Sequence, residues 1–195
     1  MTSQLHLNDL AQGDLIGFSG ANPYSDLINL TTYGIPRWSL SHVGIVADYH
    51  GELLIFESTH GEDTPCAIKG KPVSGTQAQV VEPRIRTYAG RVWHYPLVKP
   101  LRPWEGKALS RYLLKSVGRP YDRQGALRAG AKLWAWVQGL LRDEDVASLF
   151  CSEWVASAHR HIERFDCVHV GVWSPNALVR EERRRGILAS PVRLK

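Results

Sequence analysis

Residues 41–58 read Ser41-His-Val-Gly-Ile-Val-Ala-Asp-Tyr-His-Gly-Glu-Leu-Leu-Ile-Phe-Glu-Ser58, and this stretch decides the fold. Two β-rich runs, 42–48 and 52–58, are joined by Tyr49-His50-Gly51, a connection of hairpin length. A hairpin puts the start of its first strand beside the end of its second, which brings His42 towards Glu57 and Ser58. The register decides which of the two shares the histidine's face. A turn between Tyr49 and His50 sets His42 opposite Glu57, and a slip of one residue brings Ser58 there instead. A carboxylate stabilises an imidazolium better than a hydroxyl does.

Outward from this hairpin, residues 14–18 (Asp-Leu-Ile-Gly-Phe) read as a short strand after the turn-like Gln12-Gly13-Asp14. Residues 24–31 read as a helix with Asn22 or Ser25 near its start. The segment 59–78, rich in Gly, Pro, Ser and Thr, reads as a loop, and β-type segments are expected around 79–86 and 91–98. After Pro103 the period changes. Trp104, Ala108, Leu109, Tyr112, Leu113 and Val117 recur at helical spacing and Gly118 closes the segment. A second helical face follows at Leu127, Ala131, Trp134, Val137 and Leu141, ending in Asp143-Glu-Asp145, and a third helix is expected over 151–163. The tail carries a charged run, Arg180 to Arg185, and two short segments around 186–189 and 192–194. Strands, then helices, then a short β-type tail predict one α+β domain over 1–195, an antiparallel sheet with helices packed on it.

The 195 residues, 44% hydrophobic and 22% charged, exclude collagen-like, coiled-coil and wholly disordered chains. The longest strictly apolar run, Leu133 to Val137, is too short to span a bilayer. No secretory leader is visible at the N-terminus and three cysteines make no disulfide scaffold, so a cytoplasmic setting is expected, with phage-borne or other export as the alternative. Net charge is +5 and unevenly spread: residues 1–100 hold 7 Lys/Arg against 9 Asp/Glu, and residues 101–195 hold 17 against 10. The basic half suits an anionic membrane surface or an acidic substrate as well as plain solvation.

Three residues have the chemistry of a nucleophilic centre. Cys151, in Leu149-Phe-Cys-Ser-Glu-Trp154, falls at the expected start of a helix, where unpaired N–H groups favour a thiolate. His42, opening its strand, is placed to act as base and then as acid to a leaving amine. Glu57 is placed to fix the imidazole tautomer. Each also has an ordinary reading: a small buried hydrophobe for Cys151, an edge histidine for His42, a solvated strand end for Glu57.

The order His, Glu, Cys with these flanks resembles the YiiX-like group of circularly permuted papain-like cysteine hydrolases, relatives of the NlpC-type cell-wall peptidases. The matching pieces are Gly13-Asp-Leu-Ile-Gly-Phe18, Ser41-His-Val-Gly-Ile-Val46, Phe56-Glu-Ser58, Gly118-Arg-Pro-Tyr-Asp122, Phe150-Cys-Ser-Glu-Trp-Val155 and Ser174-Pro-Asn176, nearly the whole chain in the family's order. The resemblance implies a papain-like core, a small antiparallel sheet or half-barrel packed against helices. It implies Cys151 as nucleophile, His42 as base and Glu57 as its orienter, with no metal or organic cofactor. Tyr121 looks like the tyrosine lining the site in NlpC-type enzymes; on its own it reads equally as a turn tyrosine after Pro120. The 29 residues between Tyr121 and Cys151, with the Trp134/Trp136 helix, depart from the pattern.

Zinc spacings are absent: there is no Cys-x-x-Cys and no His-Glu-x-x-His. His159 and His161 stand two apart on a helix and point apart. Arg183-Arg-Arg185, mixed with Glu181 and Glu182, is weak as a nucleic-acid footprint, and no nucleic-acid partner is expected. Trp134 and Trp136 beside Lys132 and Arg142 suit peripheral membrane contact, with core packing the more ordinary role for at least one of them. The expected function is therefore a cysteine amide hydrolase acting through a thioester on a peptide, amide or acyl substrate. The alternatives are a lipid-directed thiol acyltransferase or lipase, and a non-catalytic binding module on the same fold.

Overall fold

The computed structural model describes residues 7–20, 40–59, 64–119, 143–166 and 173–195, with 143–150 as backbone. The segments expected as helices over 24–31 and 127–141 lie outside the described residues, as do Tyr121, Trp134, Trp136 and Cys167.

Six strands form one antiparallel sheet: β1 Leu15–Ser19, β2 His42–Tyr49, β3 Glu52–Thr59, β4 Gly75–Val80, β5 Arg91–Tyr95 and β6 Val192–Arg193, in the order β4-β3-β2-β1-β5-β6. Four α-helices are described: α1 Val81–Thr87, α2 Pro103–Ser116, α3 Asp143–His161 and α4 Pro175–Arg184. The expected α+β architecture, an antiparallel sheet with helices packed on it, is the observed one.

The sheet is covered on both faces, because each central strand buries both sets of alternate side chains. Val43, Ile45, Ala47, Leu54 and Phe56 face one layer with Leu109 and Leu113 of α2, Cys151 and Val155 of α3 and Leu178 of α4. Ile16, Phe18, Val46 and Ile55 face the other with Val81 and Ile85 of α1.

The hairpin turns one residue later than a turn between Tyr49 and His50 would place it. Tyr49 pairs with Glu52, and His50 and Gly51 form the turn with φ of +55° and +88°. A two-residue turn with both φ positive matches the strand twist, which favours it over a turn at Tyr49-His50. His42 is thus not directly opposite Glu57: the ladder carries Glu57 opposite Gly44, two residues along. A shift of two preserves the face, so Glu57 and not Ser58 lands beside the histidine. Gly44 permits the approach, since a Cβ there would stand 2.7 Å from Ile55 Cγ2 and 3.0 Å from the Phe56 carbonyl.

Two segments differ from the sequence expectation between 59 and 87. Residues 75–80 are strand, paired along Leu54–Thr59, and residues 81–87 are helix. Val81 and Ile85 are an i, i+4 apolar pair with Glu82 and Pro83 in the first turn, a helix-start pattern that overrides the β-type side chains. The helix after Pro103 falls where expected, with proline in the first turn and Glu105 accepting the Arg102 N–H at 2.6 Å.

Candidate active site

Cys151 does not open a helix. α3 begins at Asp143, eight residues earlier, so Cys151 sits in its interior and its N–H belongs to the helical ladder. The acidic run Asp143-Glu-Asp145 starts this helix instead of ending the preceding one, as the positive end of the helix dipole favours. The N-terminal N–H groups therefore offer the thiol no help, and any cationic partner for a thiolate must come from side chains.

It does. His42 is hydrogen-bonded to both Cys151 and Glu57. Its Nε2 lies 2.9 Å from Glu57 Oε2, which leaves Nδ1 as the ring nitrogen for the thiol. Cys151 comes from the helical layer on one face of the sheet and Glu57 from the α1 side of the other. As first residue of β2, His42 stands where a ring can bridge the two. Burial on its own would lower the imidazole's proton affinity, but the Cys151 and Glu57 charges and hydrogen bonds override it and raise the pKa to about 10. Glu57 is fully buried, not a solvated strand end. Burial pushes its carboxyl up; His42 and Arg84 more than offset this and hold it below the usual carboxylate range.

Arg84 was not legible as part of the site. It reaches Glu57 from α1: Nε lies 2.7 Å from Oε1, an ion-pair contact outside hydrogen-bond angles, and Nη2 donates to Oε2 at 3.1 Å. Its guanidinium stands 5.0 Å from the Phe18 ring centroid and 5.6 Å from that of Tyr88. Phe18 also packs against His42, at 5.6 Å between centroids. The helical pattern at Val81 and Ile85 is the signal that would have turned Arg84 towards the sheet. Gln77, opposite Glu57 on β4, spends its amide elsewhere: it donates to Thr59 Oγ1 at 2.7 Å and accepts from Gln79 at 3.1 Å.

Asn176 holds the approach to His42. Its Oδ1 accepts the Leu40 N–H at 2.8 Å and its Nδ2 donates to the Leu40 carbonyl at 3.2 Å. The Ser174-Pro-Asn176 motif thus caps α4 through Ser174 and clamps the chain two residues before the histidine. Cys66 is buried and accepts the Ala78 N–H at 3.4 Å, a packing role. His159 and His161 diverge as expected: His159 is buried against Glu182, and His161 stacks on Tyr112 at 4.7 Å.

No protein-family model matches the chain, and no curated protein sequence matches it. Its fold is similar to that of the metalloprotein YiiX from Escherichia coli O157:H7, with a TM-score of 0.55, 15% identity, and coverage of 95% of this chain and 96% of that one. At that identity the likeness is one of fold. The residues here do not fit a metal at this site. Among the described residues no three His, Cys, Asp or Glu side chains are grouped to hold one, and a cation on Glu57 would meet the Arg84 guanidinium already there. No described helix is long and apolar enough to cross a membrane.

Proposed function

We propose that this protein is a cysteine-nucleophile amide hydrolase, with Cys151 as nucleophile, His42 as acid and base, and Glu57 as the group that orients His42. The observation that carries the reading is the His42 ring hydrogen-bonded to a thiol on one side and to a buried carboxylate on the other. An imidazolium between two anions favours transfer of the thiol proton to the ring. The thiolate attacks the amide carbon, and His42 gives its proton to the leaving amine as the C–N bond breaks. This leaves a thioester on Cys151. Neutral His42 then takes a proton from water, whose oxygen attacks the thioester carbon, and the acid leaves as the thiolate and imidazolium are restored. Peptide amides of the cell-wall type and acylated small molecules are the substrate classes this chemistry suits. The fold similarity to YiiX is consistent with the reading and names no substrate.

The test needs no substrate and no reagent access to the buried thiol. Ultraviolet thiolate absorbance is titrated in the wild type, in Cys151→Ser and in His42→Ala. A thiolate present at pH 6.5, absent in Cys151→Ser and reduced about 100-fold in His42→Ala, is expected, since an unassisted thiol with a pKa near 8.5 is only about 1% ionised there. A wild-type difference spectrum that rises only in the ordinary thiol range sinks the proposal.

A further inference from the structure

The pair Cys151–His42 ends in a carboxylate that has no solvent to stabilise it. Glu57 is fully buried, and a buried carboxylate beside a neutral imidazole tends to stay protonated. Something must keep it charged, and Arg84 is built to do so. The guanidinium meets both carboxylate oxygens, at 2.7 and 3.1 Å, on a seven-residue helix whose apolar pair Val81 and Ile85 is buried in the sheet. Phe18 and Tyr88 flank it, which suits a desolvated cation. Phe18 touches both Arg84 and His42, so one ring shields both partners of Glu57. Thiolate, imidazolium, carboxylate and guanidinium then alternate in sign from Cys151 to Arg84, and the four sum to zero charge.

We propose that Arg84 is a positioning residue for this centre: by gripping both oxygens of Glu57 it holds the carboxylate ionised and aimed at His42 Nε2, and so sets how acidic the medium must become before the thiolate pair takes up a proton. The proposal rests on the hydrolase reading above and adds a residue to it. A purely structural Arg84, tying α1 to the sheet, would affect stability and leave the proton uptake of the site where it was.

Removing a cation beside a cluster raises the proton affinity of every group in it. The experiment is the acid limb of the Cys151 thiolate signal, read in wild type, Arg84→Gln and Arg84→Lys, with thermal unfolding followed in parallel. Arg84→Gln should move the limb up by roughly one to two pH units, the size of one buried charge at this range. Arg84→Lys, which keeps the charge, should recover most of the shift. A second comparison covers the case in which Arg84→Gln does not fold. In a Glu57→Gln background no carboxylate is left for Arg84 to hold, so adding Arg84→Met should move the limb by much less than Arg84→Gln moves it in the wild type, leaving only the direct effect of the distant charge. Superimposed limbs in wild type and Arg84→Gln overturn the proposal, and so does a further large shift in the double variant. A wild type with no thiolate at neutral pH overturns the hydrolase reading itself, and is distinguishable from either result.

Discussion

Among the described residues three histidine–carboxylate pairs are buried or half-buried, and two of them, His42–Glu57 and His159–Glu182, make an instructive comparison. His42 Nε2 stands 2.9 Å from Glu57, and His159 Nδ1 stands 2.8 Å from Glu182. By distance they are the same interaction. They differ at the ring's other nitrogen. His159 Nε2 meets the carbonyl of Gly13 at 3.1 Å, and a carbonyl can only accept. Both nitrogens of His159 therefore face acceptors, so the ring is held as a double donor and turns no lone pair towards a group that could give it a proton. His42 instead faces Cys151, a group that can give one. A buried His–acid pair is thus not by itself a catalytic signature; its third partner decides between strut and base. The strut joins α3, α4 and the turn before β1.

The largest expected effect comes from breaking the strut. His159→Ala leaves Glu182 as a buried, unpaired carboxylate, a change that costs about 3–5 kcal/mol. Thermal unfolding should show a fall of roughly 6–20 °C for a chain of this length. The Cys151 thiolate signal of whatever remains folded should keep its pH midpoint. His42→Ala should do the reverse, with the thiolate signal lost at pH 6.5 and the unfolding temperature moved by a smaller amount. If His159→Ala shifts the thiolate midpoint while the fold persists, the two pairs are not separate devices.

The pH dependence sharpens the contrast further. Burial would lower the proton affinity of His159, but the Glu182 charge and hydrogen bond and the Gly13 carbonyl raise it. A raised folded-state value makes the contribution full below the unfolded histidine value near 6.5 and erodes it as pH rises through the folded value. The stability gap between wild type and His159→Gln, followed by urea unfolding, should therefore be widest below about pH 6 and narrow on the alkaline side. For His42 the corresponding window runs from about 6.5 to about 10. Its imidazolium should persist across neutral pH, so the thiolate signal should be flat there and not climb through the ordinary thiol range. Glu57 has the opposite sign: its contribution is present above the usual carboxylate range and fades as pH falls.

The contrast between the pairs also marks how far the sequence could be read. A hairpin across Tyr49-His50-Gly51, the antiparallel sheet and the helix from Pro103 follow from local patterns, because a short turn between β-rich runs and a 3.6 period are local facts, while the register of the turn was not fixed by them. The face shared by His42 and Glu57 was readable because parity survives a two-residue shift. Arg84 was not, because residues 79–86 carry β-type side chains that hide the Val81–Ile85 helical pair. Nor was the start of α3, where Asp143-Glu-Asp145 ends one apolar pattern and opens another with the same letters. The His159–Glu182 strut joins residues 23 apart through tertiary packing, which no spacing rule reports.

The smallest effect concerns how the active pair is held. The strut is fixed by three packed elements, whereas His42 opens its strand and depends on what anchors residue 40. Asn176 does this by bonding both the N–H and the carbonyl of Leu40 with one side-chain amide. The amide mimics a strand neighbour at a point where β2 has not begun. Asn176→Ala leaves both backbone groups without that partner, at a cost of about 1–3 kcal/mol. Because Leu40 and Ser41 then move more freely, the ring of His42 should lose some of its aim at Cys151. A loss of a few degrees in thermal unfolding is expected, with a few-fold smaller thiolate signal at pH 6.5 and an unchanged midpoint. Asn176→Asp keeps the acceptor for the Leu40 N–H and loses the donor, so it should fall between wild type and alanine. If the thiolate signal follows neither substitution, the clamp holds the fold of α4 against β2 and has no part in aiming His42.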